Sequence, residues 1–195
     1  MFEIVKIHGA PDWERIPVLP ICHALWTAPT GIQAEAQLCC DEEKLFVHLR
    51  TNEKEIRAEN TEPLSPVHED SCLEFFFKLP VDERYFNFEV NPNGCLVVQF
   101  GTCRADRVDL IRRDGKTYFE LRCCRTPEGW EAFYTIPLAF LRLFCPAFAF
   151  QGMLQANFYK CGDKTPKAHY LAWSPVESEQ PDFHQPAFFG TLRFR

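Results

Sequence analysis

The stretch RYFNFEVNPNGCLVVQF, residues 84–100, restricts the fold more than any other. Side chains alternate across an extended chain, so Phe86, Phe88 and Val90 point one way and Tyr85, Asn87, Glu89 and Asn91 the other. Asn91-Pro92-Asn93-Gly94 then combines one fixed φ with residues that tolerate positive φ. The chain must turn there and run back as a second strand. A hairpin of this kind needs a sheet to join.

The same grammar recurs along the chain. IQAEAQLCC and KLFVHLRT flank a turn at Asp41-Glu42-Glu43, and SCLEFFFKL follows before the hairpin above. KTYFELRCC and GWEAFYTI read as a further pair across Thr126 to Gly129, with MLQANFYK and the terminal FGTLRFR completing the set. Helix has little room: PLAFLRLF begins with Pro137, acceptable in a first turn, and stops before Pro146. Many short strands separated by turn signals predict an all-β, single-domain β-sandwich over residues 1–195, with one short helix around Pro137 to Phe144.

Composition excludes several partner classes. A net charge of −6 with no basic patch argues against nucleic acid. The most apolar window, FYTIPLAFLRLFCPAFAF, contains Arg142, Pro137 and Pro146, so no membrane span is expected. The N-terminal apolar run holds Glu3 and Lys6 and lacks the core of a signal peptide, which leads to a cytoplasmic expectation. Ten cysteines without any C-x-x-C spacing then read as free, mostly buried thiols rather than a disulfide framework or zinc knuckle.

Alternation also assembles a polar strand face. Glu74 lies on the side of its strand opposite Leu73, Phe75 and Phe77, Glu89 and Asn87 lie opposite Phe86 and Phe88, and Gln155 and Asn157 lie opposite Leu154, Ala156 and Phe158. Carboxylates and amides can take sugar hydroxyls while an aromatic plane covers the C–H face of the ring. The segment HYLAWSPVESEQPDFHQPAFFG, His169 to Gly190, offers rings in a loop braced by Pro175, Pro181 and Pro186. Trp173 is its expected stacking platform.

EDSCLEFFF, YFNFEVNPNG, GWEAFYTIPLAFL, QANFYKCGD and YLAWSP…PDFHQPAFFGTLRF occur in that order. Together they resemble the family 9 carbohydrate-binding modules and their DOMON-like relatives over roughly residues 30 to 195. The resemblance implies a β-sandwich that grips a mono- or oligosaccharide between two tryptophans, with structural calcium in some members. It places one clamp tryptophan on Trp173 and the other near His68, where this chain has imidazole. It also matches Glu74 to a polar strand glutamate, Asn157, two residues after Gln155, to an amide, and Glu89 to a position where binding members carry arginine. No cofactor is required by this reading, and Asp70, Glu69 and Asp163 are the carboxylates available to calcium.

Two other functions are consistent with single features. Glu74 and Glu89 could serve as a glycosidase carboxylate pair. DOMON-like sandwiches include cytochromes, for which His68, His169, His184 and Met153 are the available ligands.

Overall fold

The computed structural model describes residues 1–111, 113 and 115–195. Among them the strands are β1 (Phe2–Lys6), β2 (Val18–Ile21), β3 (His23–Ala24), β4 (Ala34–Cys40), β5 (Lys44–Thr51), β6 (Cys72–Lys78) and β7 (Tyr85–Val90). There follow β8 (Leu96–Cys103), β9 (Asp106–Asp109), β10 (Arg122–Arg125), β11 (Trp130–Pro137), β12 (Met153–Cys161), β13 (Tyr170–Ala172) and β14 (Gly190–Phe194). Helix is limited to α1 (Gly115–Tyr118), α2 (Leu138–Arg142) and two single 3-10 turns. None of these helices is long and apolar enough to cross a membrane.

The strands form two sheets. One runs β1-β14-β12-β6-β7-β8-β9, and the other runs β10-β11-β5-β4-β1. β1 belongs to both: Phe2 to Ile4 pair in parallel with β14, and Val5 and Lys6 continue in parallel with β4. The N-terminal strand therefore stitches the two layers together. The terminal strand β14 is paired on both sides, with β1 and β12, as its alternation predicts.

Between the layers lies a core of stacked rings. Phe75 of β6 stacks on Phe158 of β12, with ring centroids 4.5 Å apart and planes nearly parallel. Phe77 stacks on Phe86 across the next register pair. Each ring removed from water contributes roughly 1.5–3 kcal/mol, and close aromatic geometry adds to that. The inward set on β6 and β7 is the one that alternation assigns.

Two local features differ from the sequence reading. KTYFELRCC is not one strand: Gly115–Tyr118 coil into α1, and only Arg122–Arg125 pair with β11. Glu120, at φ +52°, takes the left-handed conformation that ends such a turn, and Phe119 is thereby buried against Phe88 and Phe140. Tertiary burial of that ring overrides the period-2 pattern. The chain accordingly has a second short α-helix beside α2, which falls where the proline pair places it.

Candidate functional site

The outer face of the larger sheet is not washed by solvent. Glu74, Glu89, Asn87 and Asn157 are all buried, at 2%, 7%, 0% and 0% exposure. They are covered because Cys72, Phe76, Tyr85, Tyr159 and Cys161, on the same face, build a second apolar cluster with Val67, Val176, Phe183 and Phe189. The last three lie in the segment between β13 and β14. That Pro-rich loop folds back over the sheet, and a cleft of about 340 Å³ remains between them.

The cleft is lined by Trp26, His68, Glu74, Glu89, Gln99, Arg104, Arg107, Asp163, Tyr170, Phe183 and His184, among others. Glu74 and Glu89 are register partners on β6 and β7 and form its floor. Burial raises both carboxyls above their ordinary range, and for Glu74 the neighbouring Glu89 charge pushes the same way. Asn87 Nδ2 donates to Glu89 Oε1 at 2.8 Å, and the Cys161 thiol donates to Glu74 Oε1 at 3.0 Å.

Rings close the opposite side. Trp26 packs at 5.4 Å from Phe183 and edge-on to Tyr170, and its indole N–H donates to the Ser178 carbonyl at 2.8 Å. Phe183 stacks on Tyr159 at 4.1 Å, and the Tyr159 hydroxyl donates to the Phe183 carbonyl. His184 meets the Tyr85 hydroxyl at 2.8 Å and also contacts Arg107. Burial and the Arg107 charge lower the His184 imidazole to about 2, so it is neutral at any ordinary pH. Trp26 itself has φ +55°. A bulky residue in the left-handed region costs roughly 1–3 kcal/mol and persists where the surroundings hold it.

Three of the six site residues expected from sequence meet here: His68, Glu74 and Glu89. The other three do not line the cleft. Trp173 faces the inner core, edge-on to Phe158 at 6.1 Å. The reason is register: Ala172 pairs with Tyr159, so the next side chain turns inward, and the Trp173 N–H bonds the Phe158 carbonyl. Asn157 is consumed by the same junction. Its Nδ2 donates to the Ser174 carbonyl, and its Oδ1 accepts from the Ser174 and Phe158 N–H groups. Gln155 is exposed beyond the loop, with its amide 3.2 Å from Thr191 Oγ1.

Trp26, Arg104, Arg107 and Tyr170 were absent from the sequence reading. The signal for Trp26 resembles the one at Trp173: a ring leaving a strand into Thr-Ala-Pro-Thr-Gly.

The candidate calcium carboxylates are engaged separately. Asp70, fully buried, accepts from the Glu59 and Asn60 backbone N–H groups and from Asn91 Nδ2. Glu69 pairs with Lys164, and Asp163 lines the cleft. Donors already fill Asp70, so these three do not fit a shared calcium shell. The haem candidates are also dispersed: His68 and His184 are in the cleft, His169 is buried against Lys160, and Met153 is exposed at the other end of β12.

One family model matches the chain, and solved structures share its fold. The sequence model of carbohydrate-binding family 9 matches residues 10–194. A solved structure of a candidate carbohydrate-binding protein from Bacteroides uniformis is 28% identical, with a TM-score of 0.84 over 100% of this chain and 98% of that one. A family 9 module from Caldicellulosiruptor kristjanssonii in complex with cellotriose is 12% identical, with a TM-score of 0.67 over 100% of this chain and 93% of that one. The same organism's family 9 module in complex with glucose is 14% identical, with a TM-score of 0.67 over 99% and 95%. No curated protein sequence matches the chain. With all but its first nine residues and its last residue inside the family match, the chain belongs to carbohydrate-binding family 9.

Proposed function

We propose that the cleft between the larger sheet and the 174–189 loop binds a soluble mono- or oligosaccharide without cleaving it. The observation that carries this reading is the pairing, in one concavity, of a ring wall with buried carboxylates. Trp26 supplies a flat apolar surface, with His68 also on the cleft, and Glu74 and Glu89 supply acceptors on the floor. A pyranose has both complements: C–H faces for the rings and hydroxyls for the carboxyls. Arg104, Arg107 and Gln99 add donors for ring and hydroxyl oxygens at the rim.

Hydrolysis is disfavoured by the placement of the two glutamates. A glycosidase pair flanks its scissile bond from two sides. Here both carboxyls rise from neighbouring strands of one floor, and a sugar above them would have both on the same side.

Calorimetric titration with glucose and cellotriose, extended to a panel of soluble mono- and oligosaccharides, tests the reading. Trp26→Ala is expected to lose roughly 1–3 kcal/mol of stacking, about a ten- to hundredfold drop in affinity. Absence of binding across the panel, or full affinity in Trp26→Ala, would overturn it.

A further inference from the structure

The cleft floor also carries sulfur chemistry that sugar recognition does not use. Cys72 on β6 and Cys161 on β12 are direct register partners. Glu74, two residues along β6, turns to the same face. The two Sγ atoms and a Glu74 carboxylate oxygen all lie within 4.8 Å of one another. Cys161 Sγ and Glu74 Oε1 are 3.0 Å apart.

Those spacings can be compared with a real coordination shell. Zinc holds thiolate sulfur at about 2.3 Å and carboxylate oxygen at about 2.0–2.2 Å, so a tetrahedral shell sets its sulfurs about 3.8 Å apart and sulfur and oxygen about 3.5 Å apart. The 3.0 Å approach of Cys161 Sγ to Glu74 Oε1, with all three ligand atoms inside 4.8 Å, is on the scale of such a shell. All three residues are buried, yet Glu74 and Cys161 line the cleft, which gives an ion its path from solvent. The next ammonium in sequence, Lys160, faces the other side of β12 and is tied to Glu53 at 2.9 Å.

We propose that Cys72, Glu74 and Cys161 form a binding site for a thiophilic divalent cation of the zinc class at the floor of the cleft. Two sulfurs select against calcium and magnesium, which take oxygen shells, and favour a borderline-soft ion. Burial raises the Cys72 thiol to about 12, and the hydrogen bond with Cys72 followed by burial raises that of Cys161, so each enters the reaction protonated. Binding replaces two S–H bonds with two S–metal bonds and releases two protons to solvent. The carboxylate completes three protein ligands, and the fourth position opens toward the cleft, as in sites that admit an exchangeable oxygen ligand. The assignment does not rest on the sugar reading, and its test contains no sugar.

The test is a cobalt(II) titration of the reduced full chain, followed by zinc displacement, with proton release measured in weak buffer. One equivalent of cobalt is expected to give a sulfur-to-cobalt charge-transfer band and the visible bands of a tetrahedral ion, all lost when zinc is added. Cys72→Ser and Cys161→Ser should abolish the charge-transfer band. The paired control Cys123→Ser/Cys124→Ser should retain it. Glu74→Gln, nearly isosteric, should weaken cobalt affinity by about 100-fold and decides the matter if the serine variants fail to fold by circular dichroism. No band in the parent chain would overturn the proposal. A band that survives both Cys72→Ser and Cys161→Ser, that vanishes in the paired control, or that has unchanged affinity in Glu74→Gln would do the same.

Discussion

Gly190 lies against the ring of Trp173: a Cβ at Gly190 would stand 2.7 Å from the indole carbon Cη2. The contact follows from how β12 uses its edge. β13 pairs with Tyr159 to Cys161 and β14 with Met153 to Ala156, so the chain departs at Trp173 and returns at Gly190 on neighbouring steps. Between these two points it makes the whole loop that roofs the cleft. Gly190→Ala is therefore expected to overpack this junction and cost about 1–3 kcal/mol. Trp173→Ala should cost up to about 3 kcal/mol while leaving sugar affinity in the folded fraction near that of the parent. Urea unfolding paired with calorimetry separates the two. A Trp173→Ala protein of unchanged stability but lost binding would restore Trp173 to the cleft.

This junction also shows what could be read from the sequence and what could not. The face of Glu74 and Glu89 follows from period-2 alternation within a strand, which is local and survives in any sheet. The inward turn of Trp173 depends on its register with Phe158, a partner fifteen residues away in the chain. The same dependence misplaced Asn157: alternation identifies its face correctly, but only the folded loop shows that Ser174 takes up its amide. The wall at Trp26 exists only once Tyr170 and Phe183 fold against it. Strands and faces were legible, whereas contacts between distant loops were not.

A buried charge cluster gives a second stability prediction. Lys160 Nζ, fully buried on the inward face of β12, meets Glu53 at 2.9 Å, and Trp130 Nε1 donates to the same carboxylate at 3.3 Å. Lys160→Met should cost about 3–5 kcal/mol, because Glu53 would be left charged and uncompensated in the interior. Adding Glu53→Gln to that variant should recover part of the loss. A double variant no more stable than Lys160→Met alone would mean that packing of the lysine stem, not charge, sets the cost.

The thiols divide sharply by access. All ten cysteines are free, with Cys22, Cys103 and Cys124 exposed and Cys39, Cys40, Cys72, Cys95 and Cys161 buried. Burial also raises Cys39 and Cys72 to about 12, which suppresses the reactive thiolate. A maleimide added to the native, reduced protein should modify Cys22, Cys103 and Cys124 first, and denaturation should release the remainder. Peptide mapping that finds Cys39 or Cys72 among the fast sites would contradict this packing.

His169 gives a pH dependence whose sign can be worked out. Its Nε2 lies 2.7 Å from Lys160 Nζ and its Nδ1 lies 2.8 Å from the Lys167 carbonyl. The neutral ring with hydrogen on Nδ1 suits both partners: it donates to the carbonyl and accepts from the ammonium. A second proton would set one cation against another. Burial first, and then the Lys160 charge, lower this imidazole from 6.5 to about 4. As pH falls through 6.5 the unfolded chain takes up the proton before the folded one does, so acid favours unfolding. The contribution is complete above about 6.5 and is lost progressively toward about 4. Melting temperatures measured across that interval should fall less steeply for His169→Gln than for the parent, because glutamine can still accept from Lys160 but does not titrate. Other buried ionisable groups, including His184 and the Glu74–Glu89 pair, remain in both proteins and cancel in the difference to first order. Identical slopes in the two proteins would mean that His169 takes up its proton at the same pH whether the chain is folded or unfolded, with Glu53, 3.6 Å from its ring, offsetting burial and Lys160.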